Sequence, residues 1–158
     1  MNIAIVGNGR MGRTLDAVCA RRDDVRVIGH VGRGGCESLD ALDGLDAALD
    51  FSAPENLPML LSGAVRRRIP LVIGTTGFSD AQGEAIREAG RSIPIVWADN
   101  FSVGVTVLGR LAAEAARMLG GGFDMEIVET HHRCKADAPS GTAKMLLRRV
   151  DPGGAYAV

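Results

Sequence analysis

Five short apolar runs punctuate the first hundred residues: NIAIVG (2–7), VRVIGHV (25–31), LDAALDF (45–51), PLVIGTTG (70–77) and IPIVWA (93–98). Each has the length of a buried strand, and near-continuous apolar character is what a strand covered on both faces requires. Between them lie segments with helical spacing, such as 10–22, where Met11, Leu15 and Val18 share one stripe. Strands alternating with helices through short connections imply right-handed crossovers and a doubly wound, mostly parallel sheet, hence an α/β fold.

Helix boundaries can be read from local chemistry. SAPE (52–55) and SDAQ (79–82) each place Ser three residues before Glu or Gln, the pattern of a capping box, and predict helices running to about Arg68 and Gly90. The cations Arg66, Arg67 and Arg68 complement the dipole at the end of the first of these and read as a solvated helix end. After Asn100 the character changes. VGVTVLGRLAAEAARMLGG (103–121) predicts a long Ala- and Leu-rich helix, FDMEIVETHH (123–132) alternates as a strand would, and GTAKMLLRRV predicts a helix starting at Ser140 or Gly141. The expected organisation is therefore a dinucleotide-binding domain over 1–101 and a second domain over 102–158.

The dinucleotide expectation comes from GNGRMG (7–12), which matches G-x-G-x-x-G directly after the first predicted strand and at the opening of a helix. In such a turn Gly7 permits the tight bend, Gly9 admits a pyrophosphate to the backbone and Gly12 allows close helix packing, while the helix start offers amides and dipole. Asn8, Arg10 and Met11 complete the candidate cradle. The fingerprint wants a carboxylate about 20 residues on for the ribose hydroxyls, but the second strand ends His30-Val31-Gly32-Arg33. Arg33 offers a guanidinium to a 2′-phosphate, with Arg13 as a second contact, which favours NADPH over NADH.

Composition narrows the function classes. Eighteen Lys plus Arg against nineteen Asp plus Glu provide no broad basic field, so neither nucleic acid nor a membrane surface is an expected partner. Three scattered cysteines without a CxxC suggest neither a disulfide framework nor a zinc knuckle, which fits a reducing cytoplasm. No apolar run approaches the roughly 20 residues that span a bilayer.

The second candidate site is ETHHRCKADAPSGTA (129–143). Amides at Ser140, Gly141 and Thr142, opening a helix, form an anion nest to which two hydroxyls add donors, and Pro139 stiffens the approach. His131 and His132 would face opposite sides of a regular strand, so the chain must leave the strand near them if both serve one pocket. His132 and Cys134 could share a strand face as metal ligands, but no third ligand at recognisable spacing accompanies them, and no metal site is expected.

This stretch resembles the pattern E-x-H-H-x-x-K-x-D-A-P-S-G-T-A of the 4-hydroxy-tetrahydrodipicolinate reductase (dihydrodipicolinate reductase) family. GNGRMGR, DFSAPE, GTTG and DNFSVGV resemble further family segments in the family's order. The resemblance implies a Rossmann-type sheet followed by an α+β substrate domain, and NAD(P)H-dependent reduction of a cyclic imine dicarboxylate in lysine and diaminopimelate biosynthesis. It implies His131 as acid/base and Lys135 as proton donor, with His132, Ser140, Gly141 and Thr142 holding substrate carboxylates. Gly74, Thr75 and Thr76, with Asn100 and Phe101, match positions that place the nicotinamide. That chemistry is physically coherent: hydride addition to a conjugated imine builds negative charge, which a neighbouring ammonium or imidazolium quenches.

The sequence departs from the family pattern in two ways. Asp99 stands where a small or apolar residue is expected. Family members, which are homotetramers and often accept both NADPH and NADH, also continue well beyond P-S-G-T-A. The substrate domain is accordingly expected to be incomplete, with apolar helix faces lacking partners and the tetramer interface missing. Three functions follow: a reductase of this family, an NADPH-binding remnant without turnover, or another small-substrate dehydrogenase of the same architecture, the last disfavoured by HHRCK and PSGT.

Overall fold

The structure, a computed structural model, describes residues 1–32, 34–131, 133 and 138–154. Five strands, β1 (Asn2–Val6), β2 (Arg26–Val31), β3 (Ala47–Asp50), β4 (Leu71–Ile73) and β5 (Ile95–Trp97), form one parallel sheet in the order β2-β1-β3-β4-β5. Helices α1 (Arg10–Cys19), α2 (Leu57–Arg67) and α3 (Asp80–Ala89) belong to the same compact unit, Met1–Ala98. A single row of register partners crosses the sheet near its carboxyl edge, Val31–Val6–Asp50–Ile73–Trp97. Strand order reverses at β1, which places a crevice beyond the carboxyl ends of β1 and β3, where open α/β sheets receive ligands.

The core of this unit follows from the apolar runs. Ile3, Ala4, Ile5 and Val6 of β1 are all buried, and Leu57, Leu60 and Ala64 of α2 pack with Leu39, Leu71 and Ile73. Burying a leucine such as Leu60 stabilises the fold by about 2 kcal/mol. Ser79 caps α3 as expected: its hydroxyl accepts from the Gln82 amide at 3.3 Å, and its own amide donates to Gln82 Oε1 at 3.0 Å.

The capping box expected at Ser52 does not form. A short 3-10 turn, Pro54–Asn56, leads into α2 instead, preceded by extended Ala53, and no side chain caps either. The Ser52 hydroxyl is engaged elsewhere, donating to Asp50. The arginine run also differs from a purely solvated end. Arg67 donates to the carbonyls of Leu39 and Leu42, and Arg66 pairs with Asp40, so the end of α2 clamps the preceding loop by charge-assisted hydrogen bonds.

The second compact unit, Asp99–Val158, contains α4 (Val103–Leu119) and α5 (Gly141–Val150). Ser102 caps α4, its hydroxyl accepting from the Val105 amide at 3.4 Å, and α4 packs on α5 around Gly109, where an added Cβ would meet Arg149 and Met145. The strand expected over 123–132 is absent from its described residues: 123–131 is irregular and pairs with no strand. Alternating side chains set faces, but a strand needs a neighbouring backbone to satisfy its amides and carbonyls. Val103, Val107, Leu111, Met118 and Val128 are exposed large apolar residues of this unit. Among the described residues no helix is long and apolar enough to cross a membrane.

Candidate functional site

In the first unit, β1 delivers the chain into the Gly7 turn. Gly7 has φ +98°, and a Cβ there would lie 2.6 Å from the Phe51 carbonyl oxygen, so conformation and space both require glycine. Gly12 is buried on the first turn of α1, and its Cβ would sit 2.2 Å from the Gly7 carbonyl oxygen. Gly9, by contrast, faces open space. The helix that follows has no side-chain cap and no acidic residue in its first turn, which leaves its positive end for an outside anion. Asn8, Arg10 and Met11 are exposed beside it, and Arg13 Nη1 reaches the Asn8 carbonyl at 3.4 Å. At the end of β2, His30 Nε2 lies 3.1 Å from Asp16 Oδ1 of α1.

The ends of β3 and β4 abut this turn. The Ser52 amide is shared between Thr75 Oγ1 at 2.8 Å and Asp50 Oδ1 at 3.2 Å, and the Ser52 hydroxyl donates to Asp50 Oδ1 at 2.6 Å. Gly74 donates its amide to the Asp50 carbonyl and leaves room for the Phe51 ring, which would lie 2.1 Å from a Cβ at that position. Asp50 is 1% exposed and Thr75 is 5% exposed, whereas Thr76 is half-buried. Burial pushes the Asp50 carboxyl above its ordinary value, against the opposing pull of hydrogen bonds from Ser52 and Thr75.

In the second unit, Ser140 is the N-cap of α5 and its hydroxyl accepts from the Ala143 amide at 3.1 Å. Its own amide and hydroxyl donate to the two carboxylate oxygens of Glu129, at 2.8 and 2.5 Å. A carboxylate therefore already sits at the helix end where the sequence reading expects a substrate carboxylate, as anion and N-terminal dipole favour. His131 Nδ1 lies 3.7 Å from the same carboxylate. Asn100 Nδ2 donates to Thr142 Oγ1 at 2.9 Å, while Asn100 Oδ1 accepts from the Ser102 amide at 2.7 Å, so one residue ties the α4 start to the α5 start. Phe101 is exposed at 45%. Asp99 accepts from Arg148 Nη2 at 2.7 Å, which gives this off-pattern carboxylate a partner. A cavity of about 590 Å³, lined by Ile127, Glu129, Pro139, Ala143, Lys144 and Leu147 among others, opens beside the 125–129 segment.

The structure thus groups Gly7, Asn8, Gly9, Arg10, Met11 and Gly12 at one turn, with Gly74 and Thr75 on the adjoining strand ends. It groups His131, Ser140, Gly141, Thr142 and Asn100 around the α5 start. Arg33, His132 and Lys135 lie outside the described residues. The sequence reading overlooked Asp50, Ser52 and Glu129. Their signals were a carboxylate closing an apolar strand, a hydroxyl two residues on, and a glutamate two residues before His131. Among the described residues no group of three or more His, Cys, Asp or Glu could hold a metal.

Comparisons with known proteins give the arrangement a family context. The family model for the N-terminus of dihydrodipicolinate reductase matches residues 1–101, and that for its C-terminus matches 104–155. The chain is 44% identical over 147 residues to the 4-hydroxy-tetrahydrodipicolinate reductase of Akkermansia muciniphila, covering 92% of this chain and 59% of that protein. It is 45% identical over 164 residues to the enzyme of that name from Chromobacterium violaceum, covering 90% of this chain and 61% of that protein. It spans about three-fifths of the length of these curated relatives. A dipicolinate-bound dihydrodipicolinate reductase from Paenisporosarcina sp. TG-14 superimposes with a TM-score of 0.71 at 23% identity, covering 96% of this chain and 66% of that one, a likeness of fold.

Proposed function

The chain belongs to the dihydrodipicolinate reductase family, and from that premise we propose that it takes part in NAD(P)H-dependent reduction of 4-hydroxy-tetrahydrodipicolinate to tetrahydrodipicolinate, a step of lysine and diaminopimelate biosynthesis. The observation that carries this reading is the pairing, in one chain, of an uncapped Gly7–Gly12 helix start with a second helix start at Ser140 that already holds a carboxylate.

The residues present fit a dinucleotide. Gly7 and Gly12 remove the side chains that would fill the turn, and open space at Gly9 admits a pyrophosphate to the backbone. Gly7 to Gly12 would bind the diphosphate through amides and helix dipole, Arg33 would hold a 2′-phosphate and favour NADPH, and Gly74, Thr75, Thr76, Asn100 and Phe101 would orient the nicotinamide. When bound, this cofactor supplies a hydride. Ser140, Gly141, Thr142 and His132 would hold the substrate carboxylates. Lys135 would donate a proton to the reduced ring, and His131, beside the Glu129 carboxylate, would act as acid/base. Residues 1–101 then serve as the dinucleotide-binding domain and 102–158 as the substrate-binding part of a cytoplasmic enzyme.

The test is nicotinamide oxidation by the chain with substrate formed in place by the preceding synthase. Turnover is expected, falling about 100-fold or more in Lys135→Ala. Turnover unchanged in that variant would remove Lys135 from its role. A second reading, a dinucleotide-binding module without turnover, draws on Glu129 occupying the Ser140 amide and hydroxyl, and is favoured if NADPH binds but is not oxidised.

A further inference from the structure

A carboxylic acid at the buried end of a parallel strand is costly, because burial penalises its charged form and an apolar residue would pack there without that penalty. Asp50 is such a group, central in the register row that crosses the carboxyl edge of the sheet, between Val6 and Ile73. Being 1% exposed, it is placed to act on its neighbours rather than on a ligand.

Those neighbours are the turns of the dinucleotide site. Phe51 and Ser52 are wedged between two glycines. Ser52 Cα lies 2.8 Å from where a Gly7 Cβ would be, and the Phe51 ring 2.1 Å from a Gly74 Cβ. There is no slack on either side, so the position of this dipeptide sets the gap between the turn after β1 and the loop after β4. The backbone holds Phe51 through its amide to the Val6 carbonyl. Ser52 is held by side chains, with Asp50 Oδ1 accepting from both its amide and its hydroxyl and Thr75 Oγ1 accepting from the amide.

We infer that Asp50 is a positioning residue for the dinucleotide: by pinning Ser52, its carboxyl fixes the spacing between the Gly7–Gly12 turn and the Gly74–Thr76 loop, so that a ligand touching both finds them preset. Preset spacing removes ordering cost from binding. The role needs an acceptor at Oδ1, not a negative charge, and burial raises the carboxyl's pKa in the direction that disfavours such a charge. The inference rests on the reading of the first unit as dinucleotide-binding.

The experiment measures dissociation constants of the whole chain for NADPH, which reaches from the turn to the loop, and for 2′,5′-ADP, which contacts the turn side alone. Asp50→Ala is expected to bind NADPH about ten-fold more weakly, about 1.4 kcal/mol, and 2′,5′-ADP within two-fold of the unvaried chain. Asp50→Asn, whose amide oxygen accepts the same bonds, is expected to bind both normally. Equal losses for both ligands, an unchanged NADPH constant in a folded Asp50→Ala, or a failure of Asn to rescue would each overturn the inference. Should Asp50→Ala not fold, Ser52→Ala decides: about three-fold weaker NADPH binding supports it, and no change in either constant overturns it. An unvaried chain that binds neither ligand sinks the dinucleotide reading and this inference together, whereas variants that bind as the parent does sink the positioning role alone.

Discussion

The two compact units satisfy their backbones and bury their apolar groups to very different degrees. Among the described residues, every fully buried large apolar side chain lies in Met1–Ala98, and of the buried apolar residues only Ala143 belongs to Asp99–Val158. In the first unit each strand finds a parallel neighbour brought back by a crossover, and the central strand β1 is buried along Ile3–Val6 among nearby sequence. In the second, two helices pack on each other while Val103, Leu111 and Met118 are exposed and the 123–131 segment joins no strand. Local patterning of equal quality thus yields a strand only where a neighbouring backbone is in place.

Substitutions can break or sharpen this contrast, with Trp97 fluorescence reporting on the first unit and circular dichroism on the helices. The largest effect is expected from Leu60→Ala, at a site 0% exposed, which should destabilise the first unit by about 4 kcal/mol in denaturant titration. A loss below 1 kcal/mol would mean that the core is looser than the burial suggests. Gly12→Ala follows, costing about 3 kcal/mol, since a Cβ 2.2 Å from the Gly7 carbonyl must displace backbone. NADPH affinity should fall with it. Ser140→Ala removes the α5 cap and one bond to Glu129, and should cost about 1 kcal/mol, seen as lost helicity.

A smaller effect, dependent on pH, is expected from Asp50→Asn. Because the folded carboxyl titrates above its ordinary value of 3.8, Asp50's contribution to stability is fully present below that value and is lost as pH rises through the raised one. The advantage of the Asn variant should therefore open above pH 3.8, grow until the pH passes the raised value, and then level off. An advantage that shrinks with rising pH would reverse the assignment. The smallest change is expected from Leu111→Ala on the exposed face of α4, within about 0.5 kcal/mol, and a larger loss would show that this face is covered in solution.

Much of the candidate site was legible because its signals are local. The glycines at 7 and 12 reflect conformation and contact within one strand-turn-helix, and Ser79 and Ser140 cap helices whose amides lie three residues on. Asp50 and Glu129 were missed for the opposite reason. Asp50's meaning depends on Thr75, in the loop after another strand, and Glu129's depends on Ser140, eleven residues further along the chain.

By itself the sequence determined the alternation of strand and helix, the parallel sheet and the glycine turn, because side-chain period, β-branching and backbone freedom are properties of neighbouring residues. Only the tertiary structure decided that Ser52 bonds Asp50 rather than capping a helix, that Arg67 clamps a loop, and that 123–131 forms no strand. Each of those outcomes turns on which group reaches a donor or acceptor first in space, and distance along the chain does not specify that.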